Sequence, residues 1–138
     1  MARARQAAIV SDDEIERRAI RDYYRRLLAS GRPLPDGAPV DVVGPVWSRR
    51  GGAWELPERT IALDAMVWAS QWLRGPDGGP WRFTAEQARF LAWSYAIDDS
   101  GTFRTPTIVL HRCTGWGKDP LAAVVALIAL IGPSVPAT

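Results

Sequence analysis

The chain is poor in the residues that anchor small folds covalently. Among 138 residues there is one cysteine, Cys113, one histidine, His111, and one lysine, Lys118. A lone cysteine excludes an internal disulfide. Cys113 and His111 are too few for a Cys/His zinc cluster, which takes four ligands. Every other basic residue is arginine, which reads as genomic bias toward high GC and not as chemistry. Long apolar runs are also missing. The longest, PLAAVVALIALIGP, falls short of the roughly 20 residues that span a bilayer. The first residues carry no apolar core of a secretory leader, so a cytosolic setting is the expectation. Net charge is only +2, so the chain as a whole does not seek polyanions.

What is present is ordinary for a globular protein: 47% hydrophobic and 23% charged residues. The length fits one small domain or a piece of a larger one. Helical periodicity recurs four times. SDDEIERRAIRDYYRRLLASG predicts a helix near 11–30, opened by a capping box of Ser11 and Glu14 and stopped at Gly31. Ile15, Ala19, Tyr23 and Leu27 form its apolar stripe. Its other face is arginine, read either as a solvated surface or as a DNA contact. The next stretch, to about Glu58, is dense in Pro and Gly and predicts an irregular connection, with Trp47 and Trp54 pinning it to something apolar. A second helix is expected near 60–74, capped by Thr60 and striped with Ile61, Ala65, Trp68 and Trp72. A third is expected near 84–98, with Thr84 and Gln87 at capping-box spacing. TPTIVLHR predicts a strand near 107–112. A fourth helix, near 119–131, has Pro120 in its first turn and Gly132–Pro133 beyond its end.

The segment HRCTGWGKDP lies between the expected strand and the fourth helix. Strand, glycine-bearing loop and helix, in that order, are the parts of a phosphate-binding site. Backbone N–H groups and the helix N-terminus hold the anion. Gly115 and Gly117 permit close approach and positive φ. Lys118 supplies a point charge for the outer phosphates. The match to G-x-x-x-x-G-K-[ST] is partial. Arg112 stands where the first glycine is expected, and Asp119 replaces the hydroxyl residue that ligates Mg²⁺. Asp119 is therefore either a substitute Mg²⁺ ligand or a helix cap. The alternative for the whole loop is a turn with an exposed lysine. Cys113 reads as a small filler, and Asp98 with Asp99 reads as a turn and not as a carboxylate pair.

Three segments in order, WELPERTIALDAMVWASQWL, WRFTAEQARFLAWSYAIDDSGTFR and PTIVLHRCTGWGKDPLAAVVALIALIGP, resemble the large terminase subunit of tailed bacteriophages. The resemblance runs from Trp54 to Pro133 and more loosely over the first helix. It implies an ATPase that drives viral DNA into a capsid, with ATP and Mg²⁺ as cofactors. Lys118, with Gly115, Trp116, Gly117 and Asp119, would hold the phosphates. Gln87 in TAEQ matches the glutamine that reads adenine in this family; its alternative is service in the capping box with Thr84. Arg112 would sense the γ-phosphate or stand exposed at the strand end, and Arg104 is a weaker candidate beside it. Trp116 would shield the site or pack on a neighbouring subunit.

The same resemblance implies double-stranded DNA, a small terminase subunit and a portal protein as partners. It also implies homo-oligomerisation in the motor, and the host cytoplasm as the setting. ATP hydrolysis further needs an acidic residue on a second strand to hold Mg²⁺. Twenty residues follow Lys118, and none after Asp119 is acidic. The expectation is therefore an α/β fold class: the front of a P-loop NTPase domain, mostly helical with one or few strands, completed by further polypeptide. Residues 1–59 would form the helix and connection, and 60–138 the start of the ATPase domain. Apolar surface should remain open around Val124, Leu127, Ile128 and Ile131. The competing expectation is a non-catalytic helical module that contacts a packaging partner or DNA through its arginine-rich helix.

Overall fold

A computed structural model describes residues 9–30, 49–50, 53–110, 115 and 117–133. Four helices carry the fold: α1 (Asp12–Ala29), α2 (Ala62–Trp72), α3 (Ala85–Ser94) and α4 (Lys118–Ile131). Two strands of two residues each, β1 (Arg49–Arg50) and β2 (Ala53–Trp54), pair antiparallel. Helices α1, α2 and α3 pack against one another, and α4 packs on α2.

The α/β expectation is overturned. Thr107 to Leu110 form no strand, and residues 111–112 lie outside the described set. The β1–β2 pair is too short to form a layer on which helices could pack. The physical reason is pairing. A strand is held by ladder hydrogen bonds, and a β-branched run with no neighbouring strand has nothing to bond. Among the described residues the chain is an α-helical assembly.

The starts of α1 and α3 follow their sequence signals, whereas α3 ends at Ser94, short of the expected end near 98. Ser11 accepts from the Glu14 N–H at 3.3 Å, and three acidic residues fill the first turn of α1. Thr84 and Gln87 complete a reciprocal capping box on α3. The N-cap of α2 is Ile61 and not Thr60. The Thr60 hydroxyl still accepts from the Ala62 N–H at 3.2 Å and donates to the Ala92 carbonyl at 2.7 Å. It thus ties α2 to α3. Beyond α3, the run from Tyr95 to Asp98 bonds both Arg59–Ile61 and Thr102–Arg104.

The buried faces differ from the predicted stripes by about one position. In α1, Ile20, Tyr24 and Leu28 are buried, whereas Ile15 and Tyr23 are exposed. In α2 the buried set is Ala62, Ala65, Met66, Val67, Ala69 and Ser70, and Trp72 projects outward. Alanine spacing lets α1 and α3 approach α2 closely, which large tryptophans on that face would prevent. In α4, Leu121, Val124 and Ile128 are buried. Of the four residues expected to stay open, Leu127 and Ile131 do, and Val124 and Ile128 do not.

Tyr24 is the polar centre of this core. It is fully buried, its hydroxyl lies 2.5 Å from the Ser70 hydroxyl, and it accepts from the Phe83 N–H at 3.2 Å. Burial raises its pKa, opposed by the bonds to Ser70 and Phe83. One side chain of α1 thereby holds α2 and the entry to α3. Tyr24→Phe leaves a buried N–H without its acceptor, so we expect about 1.5 kcal/mol of lost stability. Urea titration measures it, and a loss under roughly 0.5 kcal/mol would show that water replaces both bonds.

Candidate functional site

Of the residues singled out by sequence, Gly115, Gly117, Lys118 and Asp119 follow one another into the start of α4, and Gln87 is brought there from α3. Gly117 is the N-cap and takes a left-handed conformation, φ 95° and ψ 26°; Gly115 is also left-handed at φ 89°. Among the described residues no side chain caps α4, and Leu121 N–H returns to the Gly117 carbonyl at 3.0 Å. Pro120 removes one of the donors that a helix start leaves over. Lys118 is half-buried in the first residue of the helix, and Asp119 follows it exposed to solvent.

Gln87 comes from the first turn of α3, thirty residues earlier in the chain. Its Oε1 accepts from the Thr84 N–H at 3.1 Å, and its own N–H donates to the Thr84 hydroxyl at 3.2 Å. The side chain is buried, with 7% of its surface exposed. A Cβ built on Gly117 would stand 2.9 Å from Gln87 Nε2. The left-handed φ favours glycine there, and an added Cβ would also require the Gln87 carboxamide to shift. The starts of α3 and α4 therefore meet, with Gln87 and Gly117 in the contact.

Lys118 also lines a cavity of about 380 Å³ between α3, α4 and the 103–110 segment. Phe90, Tyr95, Phe103, Leu121 and Val125 form much of its wall. Among the described residues it is an apolar recess lined by a single cation.

Other candidates are placed elsewhere or not at all. Arg112 and Trp116, like Cys113, lie outside the described residues. Arg104 sits over the Trp93 ring at 6.0 Å and lines a different cavity with Glu58, Arg59, Asp98 and Asp99. Asp98 closes a turn, accepting from the Ser100 hydroxyl at 2.6 Å and from the Ser100 and Thr102 N–H groups at 2.9 and 3.0 Å. These bonds, the Ser100 hydroxyl first, hold its carboxyl below the usual range. Among the described residues no three His, Cys, Asp or Glu side chains group as metal ligands. Asp119 is a single exposed carboxylate in the first turn of α4, where the helix dipole favours it. It does not make a metal site alone.

The arginine face of α1 is substantially neutralised. Arg18 pairs with Glu14 at 2.8 Å, Arg25 with Asp22 at 3.7 Å, and Arg21 with Asp64 of α2. Arg89, which no motif marks, is buried on α3 and donates to the Leu28 and Ser30 carbonyls at 3.2 and 3.1 Å. An arginine inside the apolar run ARFLAW was the available signal.

Among the described residues no helix is long and apolar enough to cross a membrane. No family model matches the chain, and no solved structure matches it significantly. Two bacteriophage proteins are similar to it. The Gene 13 protein of Mycobacterium phage L5 is 33% identical, and the Gene 13 protein of Mycobacterium phage D29 is 31% identical. Each alignment covers 70% of this chain and 20% of the relative, so the chain spans about a fifth of the length of the curated relatives it matches.

Proposed function

We propose that this chain contributes the nucleotide-binding front of a phage DNA-packaging ATPase of the terminase large-subunit kind, with ATP phosphates held at the start of α4. One observation carries the reading: Gln87, from the TAEQ segment, is packed against Gly117 beside Lys118. Two left-handed glycines shape the turn, and the positive end of α4 points at any anion bound there. The similarity to two phage proteins fits a viral role. Mg²⁺ enters this scheme with the nucleotide, bound chiefly by phosphate oxygens as in other ATP sites. When bound, it would neutralise charge on the phosphates, and Asp119 is the carboxylate nearest in sequence to that position. Hydrolysis, double-stranded DNA, the small subunit, the portal and oligomerisation in the motor belong in this reading to the whole protein, acting in the host cytoplasm.

Calorimetric titration with Mg-ATP tests the reading. Lys118→Ala should weaken binding about thirtyfold, the loss of one charge-assisted contact worth about 2 kcal/mol. Equal affinity in wild type and variant would sink it. The second reading, a non-catalytic helical module that contacts a packaging partner or DNA, draws on the helical fold and on Arg17, which is exposed on α1 and lines a cleft with Trp68 and Trp72. It predicts that Lys118→Ala leaves partner binding intact. The ion pairs along α1 count against DNA as the ligand.

A further inference from the structure

We infer that Gln87 serves the site as a positioning residue: its carboxamide, fixed by the capping box with Thr84, sets the Gly117 turn so that it accepts phosphate whatever base the ligand carries. The inference rests on the phosphate reading of that turn and departs from adenine recognition. Its basis is where the two ends of the carboxamide are committed. Oε1 is taken by the Thr84 N–H at 3.1 Å, and Nε2 lies where a Gly117 Cβ would collide. Reading the N6/N7 edge of adenine takes both ends of a carboxamide at once. A side chain with 7% exposure, one end in a box and the other against a glycine, does not offer that edge. What it does offer is a wedge between two helix starts. The box holds the wedge, and the wedge holds the turn.

The experiment compares Mg-ATP, Mg-GTP and tripolyphosphate, which has no base, on the full 138-residue chain. Wild type, Gln87→Met and Thr84→Val are titrated at a temperature where circular dichroism shows each one folded. We expect both variants to bind all three ligands about tenfold more weakly, by the same factor, and Thr84→Ser to recover most of what Thr84→Val loses. Thr84 has no base to touch in either account, so its effect on tripolyphosphate is the discriminating number. Loss confined to ATP would overturn the inference and leave the phosphate reading standing. A lower melting temperature with unchanged affinity of the folded protein would overturn it too, since that is what a purely structural role gives. If wild type binds none of the three, both fall. Gly117→Ala provides an independent measure. Its cost in stability should shrink in the Gln87→Ala background, because the collision is removed; additive costs would contradict the contact.

Discussion

Replacing Arg89 with methionine should lower unfolding free energy by about 3 kcal/mol. Arg89 is 93% buried, since 7% of its surface is exposed. Its Nη1 bonds the Leu28 and Ser30 carbonyls at the C-terminal end of α1, and its Cζ stands 4.0 Å from the Trp54 ring centroid. Trp54 in turn donates its indole N–H to the Ser30 carbonyl at 2.9 Å. One guanidinium thus fastens α3, the end of α1 and the β2 segment. The opposing effect is desolvation. Burial lowers the pKa of Arg89, Glu86 counters it in part, and Nε has no hydrogen-bond partner among the described residues. Methionine relieves that cost, since it fills similar volume without a charge. The bonds win because a helix C-terminus concentrates unpaired carbonyls and partial negative charge. Two bonds to a charged donor contribute about 1.5–3 kcal/mol each before desolvation, and the cation–π contact adds about 1–2. Arg89→Lys should recover less than half, because a point donor cannot hold two carbonyls and stack at once. Urea midpoints at constant m decide it. A methionine variant as stable as wild type would mean that desolvation wins.

Much of this arrangement was legible in sequence, and the losses have physical causes. Helix ends were readable because caps are local: Ser11 with Glu14, Thr84 with Gln87, and Gly132 after α4 each act within one turn. Faces were less readable. In α1 the stripes Ile15–Ala19–Tyr23–Leu27 and Ile20–Tyr24–Leu28 differ by about one position, and which one is buried depends on the alanines of α2. That is tertiary information. The strand expected near 107–112 is absent over its described part, 107–110, for a related reason. A β-branched run is a propensity, and a strand also needs a partner for its backbone groups. At the site, residue types were legible but contacts were not. The sequence leaves Gln87 with two roles, capping and recognition, and only the fold places its carboxamide against Gly117. Arg89 was missed because arginine in a helical stretch ordinarily lies on the solvent face.

Ile128→Ala should cost about 3 kcal/mol, and Leu130→Ala, two residues on, less than about 0.5. The contrast tests what α4 is packed on. Every residue from Leu121 to Ile131 is apolar, so composition alone treats the helix as uniformly buried. In the fold it is one-sided. Leu121, Val124 and Ile128 recur at spacings of three and four and join the core, with Ile128 at 1% exposure and Leu130 at 79%. Deleting a buried side chain loses its transfer free energy and leaves a cavity that relaxes only in part. Deleting an exposed one loses neither. Alanine also has the higher helix propensity, so any residual change at 130 is pushed toward stabilisation. Chemical denaturation of both variants gives the answer. Similar losses at the two positions would mean that the outer face of α4 is also covered in solution. Negligible losses at both would detach α4 from α2, and with it the setting of Gly117 and Lys118 against Gln87.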